Sequence, residues 1–126
     1  MRFSVLLIVS GVLGVVFGLA FFFAPVQTLA VYAASTGEVG YLMTRFFGAA
    51  LIQVGIMFLL IRGVRDPALI RGIAIGAALG ELAGLRVALY AVRNNIVSPL
   101  GWSTVAIYAL LFLGFAWFAY KPPAAA

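Results

Sequence analysis

The sequence predicts an all-α integral membrane protein, a four-helix transmembrane bundle with both termini in the cytoplasm. Three observations predict it. First, 66% of the 126 residues are hydrophobic and only 9% charged, against ~25% charged residues in ordinary globular domains, and the mean hydropathy is +1.22. Second, apolar segments fall at roughly 3–25, 41–61, 68–92 and 100–120. Each is near or above the ~20 residues that a helix rising ~1.5 Å per residue needs to cross ~30 Å of hydrocarbon. Third, with the N-terminus in the cytoplasm, Arg2, Arg62, Arg65, Arg71 and Lys121 collect on that side. The opposite loops hold Arg93 and Glu38 and little else, which is a positive-inside pattern. Four spans use nearly all of the chain, so residues 1–126 are expected to form a single transmembrane domain with helices at about 3–25, 36–62, 67–92 and 99–120.

The first apolar run follows Arg2 and extends for about twenty residues, longer than the ~7–15 of a signal-peptide core. Ala33-Ala34-Ser35 lies too far downstream for cleavage, so this run is expected to be a retained span that ends near Pro25. Residues 26–34 are too apolar for an exposed loop and read as a short interfacial segment. Ser35-Thr36-Gly37-Glu38 has the S-x-x-E form of a capping box, which starts the second helix near Thr36. In the turn Arg62-Gly63-Val64-Arg65-Asp66-Pro67, Gly63 suits a C-terminal cap, Asp66 an N-cap and Pro67 the first helical position. Ser98-Pro99 repeats the same logic ahead of the fourth helix. Trp102 at one end of that helix, and Trp117 with Tyr120 at the other, read as interfacial anchors. No internal repeat relates the two halves, so an inverted-repeat transporter within one chain is not expected.

Glu81 is the most informative residue, an acid near the middle of the 68–92 segment. An ionisable group at membrane depth costs at least ~2.5–3.5 kcal/mol on insertion scales and usually faces a partner, a cavity or a pathway. Reflection about the short 62–67 turn brings position 45 to the depth of position 84. An Arg45–Glu81 ion pair is therefore the expected intramembrane contact, fixing helix register or, in the sharper reading, forming part of a proton or solute pathway. A carrier needs a carboxylate that can lose its partner, and a bidentate Arg works against that. Arg86 follows Glu81 by five residues, ~140° around the helix, and does not share its face. Arg86 shares one instead with Tyr90 and Arg93, and both arginines read as lipid-headgroup or ligand contacts. Gly72, Gly76, Gly80 and Gly84 recur at a spacing of four beside Glu81 and form a strip for close helix approach. Gly11, Gly14 and Gly18 on the first helix, and Gly48 and Gly55 on the second, offer similar surfaces. Gln53 reflects to about Gly76 and is expected to donate across that helix pair. Phe21, Phe22, Phe23, Phe46 and Phe47 gather aromatic mass for lipid contact or for holding an apolar tail.

The chain has no His and no Cys, which removes disulfides, thiol redox chemistry, His-ligated haem and the usual zinc and copper sites. No metal or cofactor is expected. The formal charge of +5, from eight Lys+Arg against three Asp+Glu, reads as topology, with no nucleic-acid partner. One acid and several arginines in lipid suit no common reaction, so an enzyme is not expected.

The run Gly18-Leu19-Ala20-Phe21-Phe22-Phe23-Ala24-Pro25, followed by Arg45-Phe46-Phe47-Gly48-Ala49-Ala50-Leu51, resembles a pattern of bacterial four-helix membrane proteins broadly akin to the DoxX-like group. The likeness covers the first half of the chain. It implies a bacterial inner-membrane protein with no assigned reaction and carries over no catalytic residues. Small multidrug transporters differ, since their essential carboxylate lies in the first helix and residues 3–25 contain no acid. Fluoride channels differ too, because their first-helix Arg motif and third-helix Phe signature are absent. The expected function is a non-enzymatic accessory or assembly subunit of a larger membrane complex, or a lipid-binding protein. The alternative is a homo-oligomeric small-solute or proton-coupled carrier that uses Glu81.

Overall fold

The computed structural model describes residues 2–123, and its helices are α1 (Phe3–Phe23), α2 (Pro25–Val31), α3 (Glu38–Leu60), α4 (Pro67–Arg93) and α5 (Gly101–Tyr120). The protein is all-helical, and α1, α3, α4 and α5 are each long and apolar enough to cross a membrane. These are the four segments that the hydropathy pattern marks. The addition is α2. The stretch read as an interfacial segment folds as a seven-residue helix whose first residue is Pro25, the position where a missing N–H costs nothing. By their contacts the residues group into two compact units, Leu7–Arg62 and Met1–Leu6 with Gly63–Ala126.

In the Leu7–Arg62 unit, α1 and α3 run antiparallel and meet through glycine. A Cβ on Gly11 would stand 2.9 Å from Gly55 O, one on Gly14 3.0 Å from Leu51 O, and one on Gly18 2.8 Å from Gly48 O. The fit is reciprocal: a Cβ on Gly48 would lie 2.7 Å from Gly18 O and Phe22 N, and one on Gly55 2.7 Å from Gly11 O. Distances this short leave no room for any side chain, so backbone rests on backbone. In lipid, where apolar surface gains nothing by leaving one hydrocarbon for another, such close approach is the main source of helix association. Phe21 and Phe47 extend the seam with an edge-on ring contact at 5.4 Å. Ser10, buried in α1, has no hydrogen-bond partner for its Oγ.

The ends of these helices correct two expectations. The S-x-x-E sequence is not a capping box: α3 starts at Glu38 with Gly37 as N-cap and no side-chain cap. Thr36 instead lays its side chain where a Cβ on Gly40 would stand. Gly63 is not a left-handed cap either, because α3 closes at Ile61, whose N–H bonds Met57 O. No described glycine has a positive φ.

The left-handed positions fall on Ala33 and Asn95, both at φ 55. After α2, Ala33 N–H donates to Ala30 O and Ala34 N–H to Leu29 O, at 2.9 and 3.0 Å. After α4, Asn95 N–H donates to Val92 O and Ile96 N–H to Ala91 O, at 3.2 and 2.9 Å. Both are complete Schellman motifs. Asn tolerates this backbone, whereas Ala places a Cβ against the following carbonyl at a cost of ~1–2 kcal/mol. Ala33→Gly is therefore expected to raise stability by about 0.5–1 kcal/mol, glycine's larger unfolded-state entropy offsetting the rest. A thermal melt in detergent that moves down would contradict this.

In the other unit, α4 and α5 form an antiparallel hairpin. A Cβ on Gly101 would stand 2.8 Å from Val92 Cγ2 near the connection, and further from it Gly84 lies directly under the Tyr108 ring. Here the expected N-cap holds: Asp66 Oδ1 accepts from Ala68 N–H at 3.0 Å, and Pro67 follows at the first helical position. Ser98 does not cap α5. The helix starts at Gly101 with Leu100 as N-cap, after a tight turn in which Gly101 N–H bonds Ser98 O at 2.8 Å. Ile70, Ala74, Ala78, Ala88 and Val92 are buried, and at ~100° per residue they fall within about 80° of one another around the axis, which makes one helical stripe. At the far end of α5, Phe3 contacts Phe115 and Phe118 at ring distances of 6.3 and 5.1 Å. The start of the chain thus lies beside the end of α5, and Arg2, Arg65 and Lys121 share that end of the unit. Trp102 and Trp117, 51% and 58% exposed, stand near opposite ends of α5, about 22 Å apart along the axis. Lys121 Nζ lies over the Trp117 ring, 5.7 Å from its centroid.

Candidate functional site

Arg45 has a polar contact that spacing alone does not reveal. Its Nη1 donates to Phe22 O at 2.6 Å. The cause lies at the junction of α1 and α2. The last four carbonyls of any helix lack intrahelical donors, and Phe22 O is among them because α1 ends at Phe23, ahead of Pro25. Ala24 turns the chain between the helices with φ −134 and ψ 60. Ala20 O accepts both Ala24 N–H and Thr28 Oγ1–H, each at 2.9 Å. Phe22 O takes the guanidinium. A cation there also faces the negative end of the α1 dipole. Arg45 therefore caps α1 from the neighbouring helix α3, and the signal was present in the sequence as the Pro25 break.

Glu81 lies in the other unit, on α4. Its three-residue offset from Ala78 places it on the helix's buried stripe, and it is half-buried. The same stripe carries the small residues Ala74, Ala78 and Ala88. Arg45 and Glu81 thus belong to separate units, each with its own surroundings.

The glycine strip on α4 divides in two. Gly84, three residues from Glu81, is occupied by Tyr108 of α5, while a Cβ on Gly72, Gly76 or Gly80 would meet nothing within 4 Å. A spacing of four drifts ~40° per step around the helix. The strip consequently begins opposite Glu81 at Gly72 and winds to its flank at Gly84. Gln53 is exposed on α3. Arg86 and Arg93 are exposed on α4 and line one depression with Tyr90, Asn94 and the apolar side chains Leu79 and Leu82. Phe22, Phe23, Phe46 and Phe47 all carry substantial exposed area. Among the described residues, no group of three or more His, Cys, Asp or Glu is placed to hold a metal ion.

No protein-family model, curated protein or solved structure matches the chain.

Proposed function

We propose that this is a multi-pass protein of the bacterial inner membrane, both termini cytoplasmic, that works without catalysis as a small accessory or assembly subunit of a larger membrane complex. The observation that carries the reading is the contrast between its glycines. Where α1 meets α3 and where α4 meets α5, glycine lies at the contact: Gly11, Gly14 and Gly18 against Gly48 and Gly55, and Gly84 under Tyr108. Gly72, Gly76 and Gly80 have the same character and nothing against them. A bare backbone row on a membrane helix suits the close approach of a helix from another protein. The orientation is supported by Arg2, Arg65 and Lys121 at one end of their unit, the side the positive-inside rule assigns to the cytoplasm. The likeness to the DoxX-like group in the first half of the chain is compatible with this assignment.

The test is native mass spectrometry of protein extracted from its own membranes in mild detergent, with Gly76→Leu alongside. A stoichiometric partner bound to wild type and lost from a Gly76→Leu variant of normal folded yield is the expected result. A lone homo-oligomer, unchanged by Gly76→Leu, would defeat the accessory reading. It would favour the carrier, whose support is the position of Glu81 on the buried stripe of α4.

A further inference from the structure

We infer that the face of α4 bearing Arg86, Tyr90 and Arg93 is a binding site for one anionic phospholipid, its phosphate held by the two guanidiniums and one acyl chain lying along Leu82 and Leu79. This deepens the membrane reading above by naming a ligand class. Arg86 and Arg93 are seven residues apart, so they lie about 20° from one another around the axis and about 10 Å apart along it. Their flexible side chains can converge on a single phosphate group, and guanidinium is the side chain best shaped to bind phosphate through paired N–H donors. Both are exposed. Tyr90, 63% exposed, stands between them. Asn94 Nδ2 bonds back to Tyr90 O at 2.9 Å, which secures the last turn on which this group is displayed.

The depression continues from the arginines onto Leu79 and Leu82 toward the helix middle. It is thus cationic at one end and apolar at the other, matching an amphiphile with an anionic head. Charge selects the head. Glu81, the one acid of α4, lies ~140° away around the helix from Arg86, so nothing on this face offsets two positive charges. A zwitterionic headgroup brings its own cation to a site that already has two. Depth agrees as well: α4 has 27 residues and is about 40 Å long, exceeding the ~30 Å hydrocarbon core. Arg93, at its last residue, then reaches the headgroup layer while Arg86 anchors from one to two turns below.

The experiment uses the full chain, delipidated in detergent and titrated with phosphatidylglycerol or phosphatidylcholine, with bound lipid counted by native mass spectrometry. One phosphatidylglycerol is expected to bind at least about tenfold more tightly than phosphatidylcholine, from loss of a charge-assisted contact. Arg86→Gln with Arg93→Gln should erase that preference, while Arg71→Gln, exposed on the same helix about 22 Å nearer its start, should not. Equal binding of the two lipids by wild type overturns the proposal whether or not the variants fold, and so does a double variant that keeps the preference. Millimolar inorganic phosphate should compete only weakly, since it lacks the chain that occupies Leu79 and Leu82. Full displacement by phosphate would also overturn the lipid assignment. Wild-type protein that shows no lipid preference but carries a partner lost from Gly76→Leu would defeat this inference alone, and wild-type protein that shows the preference but carries no partner would defeat only the accessory reading.

Discussion

Leucine at Gly48 or Gly55 is expected to abolish folded protein, whereas leucine at Gly76 leaves the yield at the wild-type level. The difference lies in what each new side chain meets. A first carbon at Gly55 would stand 2.7 Å from Gly11 O and 2.8 Å from Val15 N, and one at Gly48 meets Gly18 O and Phe22 N, both at 2.7 Å. All four atoms are backbone and have no rotamer by which to yield, so α1 and α3 must separate. Extra methylenes in well-filled interiors typically cost ~1–3 kcal/mol when neighbours can adjust. Here four carbons are added against atoms that cannot, and a loss of more than about 3 kcal/mol is a large part of a domain's ~5–15 kcal/mol. Alanine at the same positions should cost about 1–3 kcal/mol, less the ~1 kcal/mol that Ala gains over Gly in helix propensity. At Gly76 a new Cβ meets nothing within 4 Å, so no backbone has to yield and the gain in helix propensity remains. Detergent-extracted yield by size exclusion, with thermal midpoints, measures all of these. A Gly55→Leu protein of normal yield and midpoint would show that α1 and α3 do not meet as described.

Hydropathy and length made the four long helices legible, because ~20 apolar residues in lipid have few alternatives to helix. Asp66-Pro67 was legible for a local reason, since a carboxylate followed by Pro satisfies the helix start within three residues. Ser35–Glu38 and Ser98-Pro99 carry equally good local signals and are not used as caps. At the first, Thr36 lies against Gly40 instead, and at the second the backbone turn from Ser98 O to Gly101 N–H comes before the helix. The left-handed residues were hidden because the chain places Ala and Asn where glycine would have announced them. At the candidate site, spacing identified Glu81, Arg86 and Arg93 on their faces of α4. It did not reveal the Arg45 contact with Phe22 O, which depends on the position of α3 beside the end of α1. Nor could spacing separate Gly84, which is covered, from Gly72, Gly76 and Gly80, which are not.

Arg45→Met is expected to lower folded stability by about 1–3 kcal/mol, because Phe22 O then loses its charged donor at the end of α1. Arg45→Lys should cost less, since an ammonium can still donate to that carbonyl. Methionine keeps the apolar stem of the side chain, so the difference between the two variants reports the lost donor and not lost packing. Thermal midpoints in detergent measure both, and an Arg45→Met protein as stable as wild type would show that the guanidinium does not cap α1. Glu81 is tested separately, by Glu81→Gln, which removes the charge from a half-buried position on α4 and keeps the shape. A Glu81→Gln protein that folds normally and keeps its partner supports the accessory reading. If it folds normally and loses a transport phenotype, the acid belongs to a pathway, and the accessory reading gives way to the carrier.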